Sequence, residues 1–425
     1  MSINTSPAAW QQIDFDTAKR ALALPDTSVD SIQAHWDQSM SAAPNGIPGF
    51  LLPAQYTHAR NTCSMDACID NALHRATEKI LANPALTALC WHAYHQNYTH
   101  NQCSFGTWPR FDHLLGEALA GMPYLLVALG HVPMTLAQHK AMGIPENITR
   151  DTCLEVNGFC QNHQLAHHGH PGLLQQQLQW VGLYPQAKLF RLGRMEYKLH
   201  QYNSGFEAYR HRESNRKILL APHDLLCDQD GYVMQNHDKQ NTWRTQLQRQ
   251  DTAILGHPVC PTGHIKRDII VIQKDQWECV LKNGDCVIDA HIPPGGGLNI
   301  EACKDSFQQA VQFFAEYFPD QTILAINCQS WIFNPDFDTE LPDSNLAKLQ
   351  RQLYLYPIAH SGREGLFFVF MQDETFDPAT APRQTALQRY MIQTITSGKP
   401  LRASGMLLFI EDLPNFGQAY YRQHG

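Results

Sequence analysis

The stretch Cys286-Val-Ile-Asp289-Ala-His291-Ile-Pro293-Pro294-Gly295-Gly296-Gly297-Leu-Asn299 changes character twice within fourteen residues. Over 286–292 the apolar residues alternate, which predicts a strand with Asp289 and His291 on one face and Ile288, Ala290 and Ile292 on the other. Pro293 and Pro294 have no amide donor and hold φ near −65°, so the strand cannot keep pairing beyond His291 and a neighbour must part from it there. Gly295, Gly296 and Gly297 then let the backbone approach a bulky ligand, and Asn299 is an N-cap for a helix whose first amides would face an anion. Pro294, the three glycines and Asn299 are therefore candidate cofactor-binding residues. Three glycines are also what a flexible connection looks like, and it is the order around them that favours a cradle. The helix, over 300–318, places Phe307, Ala310, Val311, Phe314 and Phe318 on one stripe. A second strand follows over 322–333, with Leu324, Ile326, Cys328 and Ser330 on one face and Asn327, Gln329 and Trp331 on the other. Strand, helix and strand in this order predict a right-handed parallel unit with its ligand beyond the strand ends.

The chain has 425 residues, enough for two domains with real cores, and a formal net charge of −8. That balance gives no general basic footprint for nucleic acid, although an anionic ligand such as CoA needs only a local positive site. The first residues, Met-Ser-Ile-Asn-Thr-Ser-Pro, show no basic and apolar signal pattern. No uninterrupted apolar run approaches a membrane span. The expectation is a cytoplasmic protein that uses neither nucleic acid nor membrane, with the oligomeric state left open. The 12 cysteines are dispersed and read as reduced thiols. Cys153, Cys160 and His163 form the densest metal-like group, but their spacing matches no common zinc signature, so no metal is expected.

Helical spacing runs through the first 145 residues, at 50–62, 65–82, 84–98 and 111–129, and Gly143-Ile-Pro145 closes the region before another helix at 146–163. Strand-like runs follow at 189–199, 217–220, 269–272, 277–281, 367–370 and 406–410, with helices near 344–353 and 385–396. Residues 228–251, rich in Gln, Asn and Asp, read as an exposed excursion. The fold class expected is α+β, an all-helical domain over 1–145 followed by a mixed α/β domain over 146–425.

Several segments in this order carry a resemblance: Leu51-Leu-Pro-Ala, Ala82-Asn-Pro-Ala-Leu, Gly143-Ile-Pro-Glu, Leu189-Phe-Arg-Leu-Gly-Arg-Met-Glu-Tyr197, Gly256-His-Pro-Val, His291-Ile-Pro with its glycines, Cys328-Gln-Ser-Trp331, Ser344-Asn345 and Pro382-Arg383-Gln-Thr385-Ala-Leu-Gln388. The chain resembles bacterial acyltransferase-domain proteins that join a helical N-acyltransferase N-terminal domain to a C-terminal domain similar to the GCN5-related N-acetyltransferases (GNAT). The resemblance implies an acyl-CoA-dependent transferase, with acyl-CoA as co-substrate entering between two splayed strands and loop amides holding its pyrophosphate. The phosphate loop departs from the superfamily's usual Gln or Arg followed by Gly-x-Gly or Gly-x-Ala. Trp331, Asn345, Arg383, Thr385 and Gln388 lie in segments that recur in the family, which implies a shared substrate pocket or a shared structural network; Asp289 joins them as a partner that orients His291.

Acyl transfer from a thioester to an amine needs a base, donors for the oxyanion and a proton for the leaving thiolate. His291, at a strand end by the slot, is the candidate base, and a structural histidine tying down the Pro-Pro loop is the other reading. Ser330 is a candidate donor. Cys328 is either a covalent acyl carrier or a small core residue. Arg194 and Glu196, on one strand face, read as a structural salt bridge. The leading reading is direct N-acyl transfer to a small amine acceptor. A Cys328–His291 acyltransferase or thioesterase with a covalent intermediate, and a non-catalytic acyl-CoA-binding sensor, are the alternatives.

Overall fold

The computed structural model describes residues 8–99, 104–234, 241–370 and 376–424. The chain forms two compact units, Met1–Arg191 and Leu192–Gly425, so the helical unit extends past the expected boundary near 145. The break at Gly143-Ile-Pro145 is local: Ile144 is buried, and the next helix, Glu146–Ala166, sends Cys153, Val156 and Phe159 into the same core as the helices before it.

In the first unit the helices Pro53–Thr62, Asp70–Leu81, Pro84–Thr99 and Met122–Ala141 arise where the helical spacing predicts them. The segment Glu117–Ala141, interrupted by His131, Thr135 and Gln138, is long and apolar enough to cross a membrane by length and composition, but 78% of its most apolar stretch is buried inside the protein. A helix apolar on all sides is what the centre of a helical core requires.

The second unit is built on a twisted sheet. Five of the six strands of that sheet are β1 (Met195–Gln201), β2 (Cys286–His291), β3 (Ala325–Ser330), β4 (Tyr354–Pro357) and β5 (Ser404–Phe409), arranged β1-β2-β3-β5-β4. Only β2 and β3 are parallel; the other neighbours are antiparallel. Helix α1 (Ile300–Tyr317) crosses between β2 and β3, and its Phe307, Ala310 and Phe314 are buried. Ser306 of α1 fastens it to the sheet: its hydroxyl donates to the Leu192 carbonyl at 2.6 Å and accepts from the Met195 amide at 3.1 Å. The run expected as one strand over 189–199 is two, Phe190–Leu192 and β1, because Gly193 turns the chain at φ +64°. A separate antiparallel sheet holds Glu207–His211, Lys217–Leu220, Pro258–Cys260, His264–Ile265 and Trp277–Leu281. Part of the expected excursion over 228–251, residues 235–240, lies outside the described residues.

Between β4 and β5 lie α2's successors in the chain: with α2 defined as Asn345–Gln350, they are α3 (Gly365–Phe370) and α4 (Ala386–Thr396). The strand expected at 367–370 is therefore a helix. A short apolar run fits either element, and here Leu366 and Phe370, four residues apart, pack into a cluster with Tyr390, Met391 and Ile392 of α4.

Candidate active site

The two central strands are each paired to the end on their outer flank. β2 pairs with β1 from Cys286–Gln201 through His291–Glu196, and β3 pairs with β5 from Ala325–Phe409 through Ser330–Ser404. Between β2 and β3 the ladder holds at Ile288–Ile326 and Asp289–Asn327 and does not continue. The strands splay one residue pair before His291, sooner than Pro293 alone would require. The opening is a cavity of about 380 Å³ lined by His291, Pro293, Cys328, Ser330, Trp331 and Phe368, among others.

His291 is anchored from behind. Its Nε2 lies 3.2 Å from Oδ2 of Asp289, and 29% of its side chain remains exposed, so the ring is reachable from the cavity. Burial pushes the Asp289 carboxyl up, but the hydrogen bond and charge of His291, with Lys198 at 3.7 Å and His200 beyond, outweigh it and hold the carboxyl below its ordinary range. The Asn327 side-chain amide donates to Asp289 Oδ1 at 3.0 Å, and the Asn327 carbonyl oxygen accepts from the Tyr356 hydroxyl at 2.7 Å. Gln329 donates to the same hydroxyl at 3.3 Å. Tyr356 can lie across the sheet because its neighbour is Gly405: a Cβ there would come within 2.0 Å of the phenol ring.

Register separates Cys328 from this network. Paired residues on neighbouring strands share a face, so Asp289, His291, Asn327 and Gln329 share one, while Cys328 projects with Ile326 from the other. Cys328 is 4% exposed, and burial, followed by the Asp289 charge, pushes its thiol well above the ordinary value. By register the thiol points away from His291 although both residues border the cavity, and a thiol held protonated by burial is a poor nucleophile. Ser330 ends β3: its hydroxyl accepts from the Ile332 amide at 3.2 Å and starts the helical turn Trp331–Phe333, which cuts short the strand expected to reach 333. Trp331 stacks on Phe368 with centroids 6.4 Å apart and planes at 12°.

The glycine loop follows the splay. Gly295, Gly296 and Gly297 have φ of +87°, +45° and +24°, a left-handed run that side chains would strain. Arg194 donates from Nε to the carbonyls of Gly296 and Gly297, at 3.1 and 3.0 Å, and pins the loop to the turn that leads into β1. Asn299 caps α1, its side chain accepting from the Ala302 amide at 2.8 Å. The side-chain nitrogen of Asn345 lies 3.8 Å from where a Cβ on Gly297 would sit, so it packs beside the loop. Arg383, Thr385 and Gln388 serve α4 instead. Arg383 donates to the Pro378 carbonyl at 3.0 Å, and Thr385 and Gln388 form a reciprocal capping box. None of these three lines the cavity.

Elsewhere, Cys153 and Cys160 are buried, with burial pushing their thiols up to about 12 and about 11. His163 is bound through Nδ1 to the His170 carbonyl at 2.9 Å. Among the described residues no group of three or more His, Cys, Asp or Glu side chains is placed to hold a metal ion.

Residues 189–407 match the family described as the GNAT-like C-terminal domain, and residues 59–184 match the N-acyltransferase N-terminal domain. The chain belongs to this GNAT-like family of acyltransferases. Among solved structures it is similar to an acyltransferase in complex with decanoyl-CoA and teicoplanin, at 18% identity and a TM-score of 0.63 over 94% of this chain and 100% of that one. It is also similar to an acyltransferase in complex with CoA and 10C-teicoplanin, at 18% identity and a TM-score of 0.62 over the same shares. At that identity the likeness is one of fold. No curated protein matches the sequence.

In this GNAT-like unit, sequence reasoning missed Asn327, Gln329 and Tyr356 behind the histidine, and His360, Glu364 and Phe368 on the far wall of the cavity. Asn327 left a signal: an amide in the middle of an apolar strand, next to the strand that carries Asp289. His360 and Glu364 precede the apolar run at 367–370, and Phe368 lies inside it, where the strand reading hid the helix.

Proposed function

We propose that this protein transfers an acyl group from a CoA thioester directly to the nitrogen of a small amine acceptor, with His291 as the general base. The observation that carries this reading is the splay itself, two strands released from each other at the point where an Asp-anchored histidine reaches a cavity. The freed edges of β2 and β3 suit the amides of a pantetheine arm, which can pair with them as an added strand does. The glycine loop and the N-terminus of α1 suit the pyrophosphate. Trp331 and Phe368 offer an apolar wall for the acyl chain, and Phe368, 48% exposed, is an aromatic ring otherwise left in water.

With Nε2 turned to Asp289, the other ring nitrogen, Nδ1, is the one that takes the proton. The amine nitrogen attacks the thioester carbonyl carbon, His291 accepts the amine proton, and the tetrahedral intermediate collapses with cleavage of the C–S bond. The thiolate then takes a proton from the histidinium, giving an amide and CoA thiol. The Ser330 hydroxyl keeps its own proton to donate, because its oxygen is the acceptor in the bond to Ile332. Incubating the purified protein with a panel of acyl-CoAs and amines, and following free thiol and acylated mass together, tests the reading. Thiol release matched by an acylated amine is expected; thiol release without acylated product would make the protein a thioesterase.

A further inference from the structure

A second cavity, of about 410 Å³, lies against the splay and shares Ile358, His360 and Ala403 with it. Both lie at one edge of the sheet, because Ser404 pairs with Ser330 on one side and with Pro357 on the other, bringing the ends of β3 and β4 to the start of β5. Three cations line the second cavity, Arg363, Lys399 and Arg402. Arg402 is committed: its guanidinium lies 4.0 Å from the Tyr232 ring centroid, and it pairs with Asp336 at 3.2 Å and Asp228 at 3.7 Å. Arg363 and Lys399 form no ion pair among the described residues. Among the described residues the cavity therefore carries two unpaired cations beside the Arg402–Asp228 pair, next to the place where an acceptor nitrogen must arrive.

We infer that this cavity is the acceptor subsite, and that the acceptor is an amine carrying an anionic group, a carboxylate or phosphate, bound by Arg363 and Lys399. The inference rests on the acyl-transfer reading above and names the acceptor class for it. A guanidinium and an ammonium facing one cavity suit an oxyanion, the first as a two-pronged donor and the second as a point charge. The volume suits a small molecule. The carrier's phosphates do not need these cations. The glycine loop expected to hold them follows β2, and β3 stands between β2 and β5, so the two anion sites lie on opposite sides of the splay. An acceptor held by its anionic end at Arg363 and Lys399 reaches the thioester past His360, which lies on the shared wall and pairs with Glu364 at 3.5 Å.

The test compares the unaltered protein with the double variant R363Q/K399Q, using ethanolamine, β-alanine and O-phosphoethanolamine. In calorimetric titrations of the CoA-loaded protein, the unaltered chain should bind at least one of the two anionic amines about tenfold or more tightly than ethanolamine, and the double variant should lose that preference. β-Alanine and O-phosphoethanolamine separate carboxylate from phosphate. In turnover, KM for the preferred anionic amine should rise by a similar factor while KM for acyl-CoA stays unchanged. Equal binding of all three amines by the unaltered protein, or a preference that survives in the variant, would overturn the inference. So would a rise in KM for acyl-CoA, which would give these cations to the carrier. Because the titration needs no chemistry, binding of an anionic amine that depends on Arg363 and Lys399 without any acylated product would sustain the anion site and sink the acyl-transfer reading instead.

Discussion

The histidines buried in the helical unit and the histidine at the splay are set in opposite ways. In the helical unit, burial pushes His131, His139 and His163 down to about 4. Their partners are neutral: the Val127 carbonyl at 2.8 Å, the Thr149 hydroxyl at 3.1 Å and the His170 carbonyl at 2.9 Å. Such rings are uncharged packing material with a polar edge satisfied. At the splay, His291 has an anion at its back and a cavity in front. The contrast teaches that burial of a histidine says little about its role; a charged partner on one side and open space on the other are what a base requires.

The comparison breaks most visibly if His291 is only another packed ring. Replacing it, as His291→Asn, should lower turnover by about 10²-fold or more with acyl-CoA binding largely retained, whereas His131→Asn should reduce thermal stability and leave turnover per folded molecule near normal. Steady-state rates beside melting curves check both. Near-normal turnover for His291→Asn would put the two classes of histidine together. A smaller fall, roughly tenfold, is expected for Asp289→Asn, which keeps the shape but removes the charge that orients the ring and steadies its protonated form.

Acid sharpens the difference. A histidine whose folded pKa is lowered binds fewer protons folded than unfolded between the two values, so it subtracts stability as pH falls from about 6.5 to about 4. A carboxylate held below its ordinary range, as Asp289 is, keeps its contribution until pH drops below about 3.9 and loses it from there. Hydrogen exchange corrected for its intrinsic pH dependence should thus show protection falling in helices Met122–Ala141 and Glu146–Ala166 while β2 and β3 hold. Equal loss in all four elements over that range would remove the distinction. The smallest effect belongs to Cys328→Ala: turnover close to normal, stability within about 1 kcal/mol, and no acyl adduct on the unaltered protein by intact-mass measurement.

What could be read from the sequence depended on whether the signal was local. The β2–α1–β3 unit was legible because alternation, a Pro-Pro stop, an Asn cap and a helical stripe each act within a few residues. The face on which Cys328 lies relative to His291 was not, since register between strands is set by partners far apart in sequence. Thr385-x-x-Gln388 carries the spacing of a capping box, and that local reading describes its place in the structure better than substrate binding does. The second cavity was invisible for a different reason. Its lining comes from the β4–β5 connection and from residues near 232, which only the folded chain brings together.

The central claim is that the carrier's thioester lies in the splay. A crystal structure with a non-transferable thioether analogue of acyl-CoA tests it directly. The account predicts the thioether sulfur between the ends of β2 and β3, its acyl chain against Trp331 and Phe368, and its phosphates at Gly295, Gly296 and Gly297. An analogue bound elsewhere, with the opening between His291 and Ser330 empty, would contradict it.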